Sequence, residues 1–220
     1  MEKKLQEVIV GVEKKDNYLE ELGISESILV EAVKKGMERR REKVRGIHGI
    51  SSKGYAFRDG FFEYLREELK PKGFSEELID GVELTSNEDI AIYLCPGCKY
   101  TGSMRAMPST RDPKGENTLK LFNLVGSYYL QDSLFENNDD NIAKMRGKSI
   151  WTLLFYIEEN DFTSTVRAEL STPYSYDKQN RINSFSTRII LDTSESIINL
   201  VPDAEDAEFT EDVSFEIKSR

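Results

Sequence analysis

The sequence predicts an α+β protein, with N-terminal helices followed by a mainly antiparallel β-sheet. Up to about residue 80 the apolar residues recur every three or four positions, the helical period. From Val82 onward they fall into short alternating or continuous runs rich in Ile, Val, Thr and aromatics. Helices come first and strands after, rather than in βαβ alternation, which separates α+β from a doubly wound sheet. The expected organisation is a helical region over residues 1–80 and a β-rich region over 81–220, packed as one unit, with a long loop at 95–118.

Residues 3–15 place Leu5, Val8, Ile9 and Val12 at helical spacing and predict a short helix that ends at Asp16-Asn17. Ser25 after Gly23 is a favourable N-cap for a second helix, whose apolar face is Ile28, Leu29, Ala32, Val33 and Met37. That face gives way to Glu38–Lys43, six charged residues in a row, and Gly46 and Gly49 stop the helix. Phe57, Phe61, Phe62, Leu65 and Leu69 predict a third helix over 55–70, ended by Pro71 and Gly73. Ser75 to Ile79 reads as a capped turn. Val82–Thr85 and Ile90–Leu94 read as a hairpin across Ser86–Asp89. The stretch 95–118 holds three prolines and three glycines and predicts the long loop. Residues 119–135 carry helical spacing. Strands are expected over 150–157, 163–170 up to Pro173, 185–191 and 213–217, with turns at 158–161 and 177–180.

Composition narrows the function classes. The chain has 220 residues and a net charge of −10, from 40 Asp+Glu against 30 Lys+Arg, which excludes a generally basic nucleic-acid coat. Its 11 Phe, 10 Tyr and single Trp supply a core, which excludes global disorder. No secretory signal is visible, and the most apolar segment, 150–157, is far too short to span a bilayer. Two cysteines are too few for a disulfide-stapled secreted fold, so a cytoplasmic location with no membrane contact is expected. The charge is nonetheless segregated. Residues 31–58 carry nine Lys/Arg and three Glu, whereas 185–220 carry three Lys/Arg and nine acids. A local anion site in an acidic protein is therefore compatible with the total.

The pattern Leu22-Gly23-Ile24, Ile28 to Gly36, Pro108 to Gly115, Trp151 to Phe155, Val166 to Pro173 and Arg188 to Leu191 resembles a group of uncharacterised bacterial proteins. The resemblance covers most of the chain. It implies a complete bacterial protein and carries over no catalytic residue.

The basic block supplies candidate phosphate or partner contacts at Lys34, Lys35, Arg39, Arg40, Arg41, Lys43 and Arg45, extended by Lys53 and Arg58. Arg111 and Lys114, in the long loop, could add to the same surface. The Gly-x4-Gly-Lys-Ser/Thr order of a P-loop is absent. Candidate catalytic residues are Glu63, Glu83, Asp89 and Glu169, acids that could serve a metal-dependent nuclease-like hydrolase, and His48, the one histidine and a potential acid–base group. Cys95-Pro-Gly-Cys98 offers two candidate metal ligands or a thiol–disulfide pair. Arg167 and Glu169 share a strand face, where Arg188 could supply a cross-strand charge partner.

The leading expectation is a non-enzymatic binding or accessory protein that contacts phosphate groups, nucleic acid or an acidic protein partner through the basic block and loop 101–118. No cofactor is expected, although a divalent metal could enter with the hydrolase alternative or at Cys95 and Cys98. A third alternative is a protein–protein interaction module that uses the acidic tail from Asp203 to Glu216. The oligomeric state is left open.

Overall fold

The computed structural model describes residues 7–9, 12–43, 47–126, 147–159, 163–194 and 198–199. Helix α1 spans Val12–Glu21, α2 Glu26–Arg41, α3 Ser52–Leu69 and α4 Glu116–Gly126. The strands are β1 Glu7–Ile9, β2 Ser75–Ile79, β3 Val82–Ser86, β4 Ile90–Pro96, β5 Ser149–Glu159, β6 Thr163–Tyr176, β7 Ile182–Ile190 and β8 Ile198–Asn199. They form one sheet in the order β1-β7-β6-β5-β4-β3-β2, with β8 paired to β6. Most neighbours are antiparallel, as expected. The exceptions are β4 with β5, joined by a crossover through the long loop and α4, and β1 with β7.

Strand alternation divides the sheet into two surfaces. Ile90, Ile92 and Leu94 of β4, Trp151 and Leu153 of β5, and Val166, Ala168 and Leu170 of β6 pack with α1, α2 and α3 in the main core. The intervening residues face the other way. There Ala91 and Ile150 cluster with Leu121 of α4, and Cys95 and Leu154 with Phe185.

The N-terminal helices form as their caps and stripes dictate. Ser25 is in an extended conformation, and its Oγ accepts from the Ile28 N–H at 3.4 Å. Leu29, Ala32, Val33 and Met37 are buried together with Gly36. Helices α2 and α3 cross at two glycines. A Cβ on Gly36 would lie 2.8 Å from the Phe57 carbonyl oxygen, and one on Gly60 would lie 2.6 Å from that of Lys35. Only glycine permits so close a backbone approach.

Several expectations are corrected. Residues 3–15 do not form one helix: 7–9 are a strand on β7, and α1 runs from Val12 through Asp16 and Asn17. Pairing with a distant strand overrides the local period, and Asp16 and Asn17 are not buried, on a helix whose Leu19 is fully buried. Ser75–Ile79 is a strand rather than a turn. It pairs with β3 across Asp80-Gly81, both with positive φ (49° and 81°), the conformation of a two-residue hairpin turn. Helix α3 begins at Ser52 rather than residue 55, and α4 at Glu116 rather than 119, where Glu116 pairs with Lys120 at 2.8 Å. The expected far end of α4 lies outside the described residues. Strand β6 continues through Pro173 because its register with β7 shifts there, sparing the proline a ladder hydrogen bond. The expected strand at 213–217 and the acidic tail lie outside the described residues. Among the described residues, no helix is long and apolar enough to cross a membrane.

Candidate anion-binding cleft

An open cleft of about 570 Å³ lies where the first turn of α3 meets the carboxyl ends of the parallel pair β4 and β5. Its cationic lining residues are Arg40, Lys53, Arg58 and Arg111, and no Asp or Glu is among its described lining residues. The basic block and the long loop thus meet at one surface, through part of each.

Each cation is held by its own contacts. The last turn of α2 carries Arg40, whose Nε donates to Glu159 Oε1 at 3.0 Å. Lys53, in the first turn of α3, reaches Oε2 of the same carboxylate at 3.4 Å. Glu159 therefore ties α2, α3 and the end of β5 together. Arg58, further along α3, donates to Glu83 Oε2 at 2.8 Å, and Arg66 donates to Oε1 at 2.7 Å. Both guanidiniums lie over the Phe62 ring, at 5.0 and 4.4 Å from its centroid. Arg111 stands on a stalk formed by the two ends of the loop. Its N–H donates to the Pro96 carbonyl at 2.9 Å, and Gly97 and Thr110 form a bridge. The Arg111 side chain is 66% exposed and pairs with its neighbour Asp112, a contact of little energy in water.

The first turn of α3 strengthens the same polarity. Ser51, Lys53 and Gly54 line the cleft. Ser51 makes no side-chain cap bond, and no acidic residue occupies the first turn. The Ser52, Gly54 and Tyr55 N–H groups already donate to the Gly49 and Ser51 carbonyls, so the turn adds the positive end of the helix dipole with no acid in the turn to offset it. Aromatic surface lies beside the charge: Tyr55 is 68% exposed, and the Phe155 ring stacks on Phe57 with centroids 4.3 Å apart. Arg167 lies 5.1 Å over the ring of Tyr156, a further lining residue.

The remaining basic candidates are elsewhere. Lys34 pairs with Glu31 at 3.5 Å and Lys35 with Glu38 at 2.8 Å, each within one turn of α2. Lys35 and Arg39, the latter bonded to Glu63, line a shallow groove shared with Glu38, Glu42, Glu63 and Glu67, which has no anion preference. Arg41 is exposed and Lys43 half-buried, neither in the cleft; Arg45 lies outside the described residues. Lys114 is buried. Its ammonium lies 5.9 Å over the Tyr93 ring. Burial opposes its charge, but Cys95 and Tyr93 outweigh that and hold its pKa above the ordinary value.

The acidic candidates do not converge. Glu63 pairs with Arg39, and Glu83 with Arg58 and Arg66. Asp89 is exposed in the β3–β4 turn, where its carbonyl accepts from Ser149 at 2.8 Å. Glu169 is fully buried. It accepts from Arg188 through both oxygens (2.9 and 2.5 Å), from Ser171 Oγ (2.8 Å) and from the Gly102 N–H (2.9 Å). Arg188 also donates to the Ser103 and Ala106 carbonyls, so this pair holds down the long loop. His48 is exposed in the segment between α2 and α3. Both cysteines are free thiols. Burial pushes Cys95 up; Cys98 is also raised by burial, but N–H groups of Tyr100 and Ser109 turn its net shift downward. Among the described residues, no three His, Cys, Asp or Glu side chains gather as a metal site would require.

Glu83 gives the cleft wall a pH signature. Burial raises its pKa, the hydrogen bonds from Arg58 and Arg66 lower it more, and the net direction is below the ordinary 4.5. A carboxylate with a depressed folded-state pKa adds stability above its unfolded pKa and loses it as pH falls through the folded value. Stability should therefore decline below about pH 4.5. Glu83→Gln should flatten that decline in a series of urea unfolding midpoints against pH. An unchanged slope would show that Glu83 does not carry it.

Sequence reasoning missed Tyr55, Phe155 and Tyr156 as one surface. Tyr55 lies off the Phe57–Phe61–Leu65 stripe, the one local sign of its exposure; the others depend on the parallel pairing of β4 and β5. No protein family, curated protein or solved structure matches the chain.

Proposed function

We propose that this chain is a bacterial, cytoplasmic, non-enzymatic binding or accessory protein that contacts phosphate groups through the cleft between α3 and the β4–β5 pair. The observation that carries this reading is the convergence of four cationic side chains, from α2, α3 and the long loop, on one cleft, while their carboxylate partners Glu159, Glu83 and Asp112 are not among the described lining residues. Glu159 and Glu83 pre-position three of these cations, so less side-chain freedom is lost on binding. Charge complementarity speeds encounter, and the affinity falls with salt.

The test is a calorimetric titration with inorganic pyrophosphate at about 50 and about 200 mM salt. Binding should weaken with salt, survive a chelator and show no turnover. Arg111→Glu should weaken it about tenfold or more, since a charged hydrogen bond is worth roughly 1.5–3 kcal/mol. Arg41→Glu, outside the cleft, should change it far less. Equal losses in the two variants would remove the cleft from the reading, and chelator-sensitive hydrolysis would replace it with the hydrolase alternative.

A further inference from the structure

Resting on the cleft as an anion site, we propose that its ligand is a nucleoside phosphate unit, with the flat base against the aromatic wall and the phosphate at the cationic rim. A bare inorganic anion needs only donors and positive charge. This cleft supplies those and, beside them, apolar and aromatic surface that such an anion would leave wet: Tyr55, Phe155, Ile50 and Ile157. Tyr55 is 68% exposed, and Ile50 is fully exposed. Phe155 is half-buried, and its ring is backed by Phe57.

Size supports the same ligand class. Small-ligand sites typically enclose about 300–1,000 Å³, and about 570 Å³ suits one base with its sugar and phosphate, well beyond a phosphate alone. Base–aromatic stacking tolerates any base, because every base has a π-face. The rim cations come from separate elements: Arg40, Lys53 and Arg58 from α2 and α3, and Arg111 from the loop stalk. No hydrogen-bonding pattern among the described lining residues selects one base, so the class is nucleoside phosphates in general. The unit could be a free nucleotide or one residue of a single strand; the chemistry is shared.

The experiment titrates the full chain with adenosine monophosphate, adenosine and inorganic phosphate, and with a single-stranded adenine oligonucleotide of about five residues. Adenosine monophosphate should bind at least about tenfold more tightly than adenosine or phosphate. Tyr55→Ala should lower the ratio of nucleotide to phosphate affinity about tenfold. Tyr55 is exposed, so its truncation should fold normally, which thermal unfolding checks. An oligonucleotide that binds more tightly than five independent nucleotides identifies a strand as the source; equal affinity per nucleotide identifies the free nucleotide. Phosphate binding as tightly as the nucleotide, with Tyr55→Ala lowering both alike, would overturn the base contact and leave the anion reading intact. Absence of binding by every probe would overturn both.

Discussion

Arg188→Met should destabilise the protein by about 3–5 kcal/mol, because it leaves the Glu169 carboxylate buried without its charge partner. Both side chains are essentially inaccessible, at 1% and 0% exposure, so water cannot take over the lost contacts. The usual remedy for a broken buried pair is to replace both members with apolar residues, which is often neutral. That remedy should fail here. Glu169 also accepts from the Gly102 N–H, and Arg188 also donates to the Ser103 and Ala106 carbonyls. The double replacement Glu169→Leu with Arg188→Met orphans those backbone groups, at about 1–3 kcal/mol for each that stays buried. Urea unfolding should show both variants well below the parent, and hydrogen exchange should show the Gly102 amide losing protection. Full recovery in the double variant would mean that the pair does not secure the loop.

Gly60→Val should cost about 3 kcal/mol, the upper end of the usual overpacking range. A Cβ at Gly60 would lie 2.6 Å from both the Lys35 carbonyl oxygen and Arg39 Cγ. The arginine can swing away, but a backbone carbonyl in the middle of α2 cannot, so the helices must separate. Helix propensity favours the change by less than about 1 kcal/mol, so the clash decides the sign. Gly54 is the internal comparison. It lies in the same helix, and a Cβ added there would meet nothing within 4 Å, so Gly54→Ala should stabilise by about 0.5–1 kcal/mol. Thermal unfolding should move the two variants in opposite directions. Because Phe57 and Arg58 sit on the displaced helix, Gly60→Val should also weaken ligand binding in the cleft.

Local signals made much of the fold legible. Ser25 and the stripe from Leu29 to Met37 specify α2, the Phe57–Leu69 stripe specifies α3, and the β3–β4 hairpin and β5 read directly from their apolar runs. Strand β2 also had its signal, since Asp80-Gly81 is a strong two-residue hairpin turn; Ser75 as the cap of a short turn competed with it. Strand β1 had none of comparable strength. Three residues that pair with a strand near the other end of the described chain look locally like part of a helix. Pro173 misled in the opposite sense, because a register shift lets β6 pass it.

The candidate site was legible in outline. That the basic block and the loop could share a surface followed from charge alone, and Arg40, Lys53, Arg58 and Arg111 do line one cleft. Which cations take part depends on geometry that charge does not encode. Successive helical residues are about 100° apart, so Arg39 turns to Glu63 while Arg40 turns to Glu159. Lys114 is drawn inward: its N–H donates to the Asn180 carbonyl, and its ammonium sits over Tyr93.

The parallel pairing of Glu7–Ile9 with Thr187–Ile189 sets an order of events at the ribosome. When α1, α2 and α3 have emerged, the main layer of helices can form among near neighbours in the chain. Strand β1 has no partner at that stage. Strand β5 must follow before β4 gains its parallel neighbour, and β7 must follow before β1 gains any. Of the described strands only the two-residue β8 follows β7, so β1 joins the sheet late although its residues precede those of every other strand, and the loop to be closed spans nearly the whole described chain.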